Sequence, residues 1–386
     1  MGLETLASLE AFGVGIAGYI VPFLFVLAIV VFFHELGHFL VGRWCGVKVQ
    51  AFSIGFGPEI VGFNDRYGTR WKLSAIPLGG FVKFFGDDNA ASVPDHAAAQ
   101  QMTAEERQVS FVHKSVGKRA AVVAAGPIAN FILAILIFAA IFGTAGRQYT
   151  SARVDTVQPG SAAQTAGFEP GDLVLSINGE TIDSFGDMQR IVSVSAGQPL
   201  NVVVDRGGVS VTLKATPQLR ELKDNFGNVH RIGVLGLGRS TQPGDIKTQH
   251  YSPLEAIGQG AGETWSIVER TIGYIAGVFT GREAADQLGG PIRIAQVSGQ
   301  VATIGFVALM HLTAVLSVSI GLLNLFPIPL LDGGHLLFYG IEAVRGRPLS
   351  ERSQEIGFRI GFAIVVMLMI FATFNDLTNL FARSSS

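Results

Sequence analysis

Residues 30–42 read VVFFHELGHFLVG. Just upstream, residues 15–33 (GIAGYIVPFLFVLAIVVFF) carry no charged side chain. The run predicts a membrane-spanning helix that closes on two histidines and a glutamate. Ionisable groups are costly there: a charged side chain at the bilayer centre costs about 2.5–3.5 kcal/mol on insertion scales. His34 and His38 are four residues apart, and on a helix that spacing makes neighbours on one face, with Cβ atoms about 5–6 Å apart. Two imidazoles so placed can take two corners of a tetrahedral zinc site, and Glu35, one position on, can reach the water of such a site from the side. The competing reading is a pair of satisfied helix-face histidines. If the helix enters lipid near residue 16, His34 lies about 27 Å along its axis at 1.5 Å per residue. The hydrocarbon core is about 30 Å thick, so the motif falls just inside the far edge, within reach of water.

The composition agrees with that setting. Hydrophobic residues make up 48% of the 386, and charged residues only 15%, against about 25% in soluble domains. Mean hydropathy is +0.41. Three further stretches predict spans: 120–146, bounded by Arg119 and Arg147; 294–331, most apolar over 305–328; and 360–375, which needs flanking residues to reach the roughly 20 required. The expected fold class is therefore a polytopic α-helical membrane protein with four transmembrane helices. A net charge of −2 gives no sign of nucleic-acid binding, and the single cysteine, Cys45, excludes an internal disulfide framework. No Lys or Arg precedes Arg43, while Glu4 and Glu10 are acidic, so the first span is not expected to be a cleaved signal peptide. Basic residues gather at both ends of 41–119 and within 332–359, which by the positive-inside rule makes these loops cytoplasmic. Both termini and the long 147–293 segment are then expected outside.

Between the spans, VKVQAFSIGFGPEIVGF (47–63) and TRWKLSAIPLGGFVKFF (69–85) are β-like and punctuated by glycine. Residues 151–217 read as a small β-rich domain, with short apolar runs cut by PG, PGD and NG turns. Residues 253–280 predict an amphipathic helix lying on the membrane surface.

A catalytic zinc keeps three protein ligands and one water, so a third ligand is needed. His96 and His113 lie in the first loop, and His230 and His250 lie on the outer side of the predicted topology. Asp332, in NLFPIPLLDGGHLLF (324–338), sits in apolar context at the cytoplasmic end of the third span. Pro327 and Pro329 break the helix before it. On local pattern Asp332 reads equally as a ligand or as the cap of the helix that follows, and His335 is a rival ligand.

HELGH (34–38) and NLFPIPLLDGG (324–334) resemble the two motifs of the site-2 protease family, and the resemblance covers essentially the whole chain. PGSAAQTAGFEPGDLVLSINGETI (159–182) resembles a PDZ domain of the bacterial protease type. A single such insert between spans two and three is similar to the regulator-of-sigma-E protease branch, with one PDZ-like domain where the best-known enterobacterial form has two. The resemblance implies an intramembrane zinc metalloprotease in the bacterial inner membrane, with His34, His38 and Asp332 as Zn2+ ligands and Glu35 as catalytic base. It implies that Asn324 helps hold the substrate strand. It also implies that the β region after the first span is a membrane-associated hairpin against which an unwound substrate pairs. Expected partners are a single-span membrane protein, such as an anti-sigma factor or a remnant signal peptide, and the lipid bilayer, with a possible peptide contact on the PDZ-like domain. Asn130, in AAGPIANFILAILIF (124–138), matches a similar family pattern and is expected to serve packing or gating.

On this reading the chain divides into a first transmembrane helix (1–43), a cytoplasmic or re-entrant β region (44–118) and a second transmembrane helix (119–146). A periplasmic PDZ-like domain (147–218) and a periplasmic linker (219–293) follow. A third transmembrane helix (294–334) precedes a cytoplasmic loop, fourth transmembrane helix and tail (335–386). Two rival functions stay open. One is a metal- or proton-coupled transporter, since intramembrane His, Glu and Asp also mark ion paths. The other is a PDZ-bearing membrane scaffold with a dead metal site.

Overall fold

The computed structural model describes residues 2–86, 101–223, 229–239, 246–280, 285 and 289–384. His96 and parts of the 44–118 and 219–293 regions lie outside these residues. The chain forms two compact units: residues 1–139, 257–271 and 289–378 make the first, and residues 140–256, 272–288 and 379–386 the second.

The first unit is built on helices. Besides the short helix Ala104–Val109, they include α1 (Gly2–Trp44), α2 (Val116–Thr144, of which 116–139 belong here), α3 (Pro253–Phe279, of which 257–271 belong here), α4 (Pro291–Ile304), α5 (Phe306–Asn324), α6 (Asp332–Arg345) and α7 (Glu351–Ser384, of which 351–378 belong here). Among the described residues, four helical stretches are long and apolar enough to cross a membrane: Ala17–Trp44, Val116–Thr144, Phe306–Asn324 and Glu351–Thr378. They fall on the four stretches picked out by hydropathy. The uncharged run 294–331 is not one helix. It is divided at Gly305, whose φ of +138° is outside helical space, so that α4 ends and α5 begins there. After Asn324 the prolines stop the helix, and α6 restarts at Asp332. Leu330 sits at φ +102°, an uncommon conformation for a residue with a Cβ. A Cβ on Gly333 or Gly334 would overlap the carbonyls of Leu325, Phe326 and Ile328. The Asp-Gly-Gly sequence thus lets the start of α6 lie directly on the backbone of the proline turn.

Strands β1 (Val49–Asn64) and β2 (Arg70–Phe84) form a curled hairpin on the C-terminal half of α1. Each strand reverses on itself: Ala51–Ile54 registers both with Arg70–Leu73 and with Gly80–Lys83. The reversals coincide with Gly55, Gly57 and Gly79, all at positive φ, which glycine adopts without steric cost. Residues 80–83 pair only with 51–54 among the described strands, so their other edge is not covered by a strand. Phe39 and Val122 from the helices pack with Phe52, Val82 and Phe84 from the hairpin in one buried cluster.

The tip of the hairpin is tied back to α1. Asp65 Oδ2 accepts from Arg43 Nη2 at 2.5 Å, and its other oxygen accepts from the backbone of Tyr67 and Thr69 at 2.8 and 3.0 Å. Burial alone would raise the Asp65 carboxyl. The donors of Thr69, Trp71, Tyr67 and Arg43 outweigh it and hold the group down at about 2, against an ordinary 3.8. A carboxyl depressed in the fold contributes stability that is complete above its unfolded pKa and is lost as pH falls through the folded one. Wild type is therefore expected to lose stability steadily from about pH 5 to about pH 2, and Asp65→Asn to show a shallower slope and a lower melting temperature at pH 7. Thermal unfolding in detergent across that range checks this; parallel curves for the two proteins would contradict it.

The second unit carries a four-stranded antiparallel sheet in the order Glu180–Thr181, Leu173–Ile177, Leu200–Arg206, Val209–Ala215. The short helix Ala162–Ala166 and the helix Phe185–Val194 close it. Val154, Val174, Ile177, Leu200, Val202 and Val204 form its core. Buried Asp172 is held by both forks of Arg206, each at 2.8 Å. The strands and turns fall where the 151–217 sequence pattern puts them.

Candidate metal centre

Helical spacing on α1 sets the rings of His34 and His38 edge to face, with centroids 4.8 Å apart. His38 Nδ1 lies 2.9 Å from the carbonyl oxygen of Val122 on α2. A carbonyl only accepts, so Nδ1 carries the hydrogen and the neutral ring presents its Nε2 lone pair to the opposite side. Nε2 of His34 lies 3.3 Å from it.

The carboxylate of Asp332 meets the two rings there. One oxygen is 3.2 Å from His34 Nε2 and the other 3.5 Å from His38 Nε2. Asp332 opens α6, but the N-cap is Leu331 and no side chain caps the helix; the Asp332 carboxylate is directed at the imidazoles instead. Arg119 Nη2 on α2 is 2.6 Å from Glu342 Oε1 on α6, a largely buried pair that seats α6 against α2. Ligand atoms about 2.0–2.1 Å from a tetrahedral zinc are about 3.3–3.4 Å apart. The two ring nitrogens, 3.3 Å apart, match that spacing, and each has one Asp332 oxygen at a similar distance, Oδ2 at 3.2 Å from His34 and Oδ1 at 3.5 Å from His38. Of the His, Cys, Asp and Glu side chains in the described residues, His34, His38 and Asp332 form the group able to hold a metal.

These residues open on a cavity of about 180 Å³ that Glu35, Asn324, His335 and residues 80–82 of β2 also line. Among the described residues two carboxylates face it and no lysine or arginine does, a charge balance suited to a divalent cation. His335 lies buried in the wall, its ring against Tyr339 and Phe358, outside the converging group. His113 and Cys45 are not part of the group, and the side chain of His230 is not described.

Sequence reasoning missed Gly126 and picked out Asn130 without its contact to the site. Gly126 on α2 faces the rings: a Cβ there would overlap His38 Nε2 and stand 2.9 Å from His34 Cε1. Asn130, one turn further, reaches His34 Nδ1 at 3.3 Å. The signal was present in the sequence. Gly126 and Asn130 have the same four-residue spacing as His38 and His34, and the two pairs face each other across the α1–α2 contact.

A model of peptidase family M50 matches residues 22–368. A provisionally named zinc metalloprotease of Agrobacterium fabrum is 53% identical over 365 residues, 95% of this chain and 97% of the relative. Metalloprotease MmpA of Caulobacter vibrioides is 42% identical over 386 aligned positions, covering 94% and 96% of the two chains. Among solved structures, the PDZ domain of HtrA3 is 23% identical over 19% of this chain and 81% of its own length, with a TM-score of 0.17. A PDZ domain from an SdrC-like protein of Listeria monocytogenes is 17% identical, covers 22% and 86%, and has a TM-score of 0.18.

Proposed function

The chain belongs to peptidase family M50, and from that premise we propose that it is a zinc endopeptidase that cuts single-span membrane proteins within or beside their spans. The observation that carries this reading is the convergence of His34, His38 and Asp332 to within 3.2–3.5 Å, with both histidines on a helix long and apolar enough to cross a bilayer. In the proposal these three residues hold the zinc. Bound there, zinc supplies a Lewis acid that acidifies water and polarises a carbonyl.

Glu35 takes a proton from the attacking water and passes it to the leaving amine. A transmembrane substrate arrives helical, its carbonyls bonded within its own helix, and must unwind before water can attack. The uncovered edge of residues 80–83 offers backbone groups to the unwound strand. Asn324, on the cavity wall, offers an amide donor and an acceptor to the same backbone. The PDZ-like unit would stand outside the membrane, with both termini, and screen substrates before they reach the site. The bacterial inner membrane is the proposed location, and anti-sigma factors or remnant signal peptides are the proposed substrate class.

The test is cleavage of a purified single-span reporter by the full chain in liposomes. Cutting in or beside the span should stop on adding a zinc chelator and return on adding zinc. A zinc-loaded protein that leaves every such reporter intact would overturn the proposal. Gly126→Val is expected to push the imidazoles apart; misplacement by about 1 Å can cost on the order of 100-fold in rate. The matching readout is a fall in bound zinc with the helical content unchanged.

A further inference from the structure

Asn130 is fully buried on α2, and its carboxamide oxygen is without a hydrogen-bond partner. The other end of the same carboxamide faces His34 Nδ1 at 3.3 Å. The residue is locked in place: its backbone carbonyl accepts from Ser317 Oγ on α5 at 2.8 Å. A buried polar atom without a partner is uncommon in folded proteins and calls for an explanation.

We propose that Asn130 is a positioning residue that sets which nitrogen of His34 is free to bind the metal. The inference deepens the proposed zinc site and rests on it. His38 has its outward nitrogen held by the Val122 carbonyl, which can only accept. His34 has no carbonyl in that role; its outward nitrogen meets Asn130. A carboxamide has an acceptor at one end and a donor at the other, with nearly the same outline. With its nitrogen toward the ring, it donates to Nδ1, and the ring hydrogen sits on Nε2, directed at Asp332. With its oxygen toward the ring, it accepts from Nδ1–H, and the Nε2 lone pair is released toward Asp332 and His38. With the nitrogen toward the ring the oxygen is left without a partner, so no bond at that end opposes turning the carboxamide round. The second arrangement is the one a metal-ligating histidine needs, because its outer N–H must be received by an acceptor. Packing or gating, the role expected from sequence, does not account for a polar end aimed at the ring.

The test is zinc affinity of the purified full chain, measured by chelator competition, with the absorption spectrum of the Co2+-substituted protein as a second readout. Asn130→Leu keeps the volume and loses the acceptor; it should weaken zinc binding by roughly 10–100-fold, as loss of an outer partner does in other sites, and should shift the Co2+ bands. Asn130→Asp keeps an acceptor and strengthens it, so it should bind zinc as tightly as wild type or more so, with the Co2+ bands in place. A packing role predicts the reverse for the aspartate, since a buried charge without a function there would disrupt the helix contact. Wild-type affinity in the leucine variant, or weakened affinity in the aspartate variant, overturns the inference. If the leucine variant does not fold, the aspartate variant decides alone. A wild-type chain that binds no zinc would instead overturn the zinc site itself, a result separate from either.

Discussion

Glu35→Gln is expected to bind zinc as wild type does and to lose cleavage of a membrane-anchored reporter by about 10²–10⁴-fold, the usual contribution of a general base. Glutamine keeps the length and shape of the side chain, so its packing beside Gly80 and in the cavity wall is retained. The three atoms that converge at the site belong to His34, His38 and Asp332, none of which the substitution touches. What is lost is an atom able to take a proton. Zinc analysis and reporter cleavage on the same preparation make the check. An undiminished rate would remove Glu35 from the mechanism. Loss of zinc along with activity would show that it acts on the ligands rather than on water. The same variant separates the rival functions, because a transporter or a scaffold has no cleavage to lose.

Asp332→Ala is the second large effect. It should abolish stoichiometric zinc and all cleavage, a loss beyond the roughly 10–100-fold that follows removal of an outer partner. The carboxylate is the anionic member of the converging set, and it bridges the two imidazoles from a helix distant in sequence. Folding should survive. The side chain makes no capping bond for α6, and the adjacent Gly333 and Gly334 hold that helix start against the proline turn by close backbone approach. Circular dichroism together with metal analysis distinguishes loss of the site from loss of the fold. If the alanine variant kept one tightly held zinc per chain, Asp332 would fall from the ligand set, and His335 in the same cavity wall would be the residue to examine.

Much of this was legible in the chain because it depends on local spacing. Four runs of apolar residues become four long helices, since in lipid a helix is the only single segment that satisfies its own backbone. The histidine pair is one turn of one helix, and no partner is needed to place its members side by side. Turn residues mark the strands of the second unit for the same reason. The break at Gly305 was not legible from hydropathy, which is blind to φ and reads 294–331 as one uncharged run. The double registry of the hairpin was equally hidden, because alternation shows that a strand exists and not which neighbours it takes.

By itself, then, the order of residues determined where the four apolar spans fall, that 47–85 and 151–217 are rich in strands, and that His34, Glu35 and His38 share a turn. Only the tertiary structure decided between cap and inward-facing carboxylate for Asp332, seated α6 on α2 through Arg119 and Glu342, and turned Asn130 toward His34. The reason is separation along the chain: His38 and Asp332 come within 3.5 Å although nearly three hundred residues lie between them. A contact of that kind is set by which helix faces can approach closely, as at Gly37, whose Cβ would overlap the Ala125 carbonyl on α2. Local propensity carries no record of it.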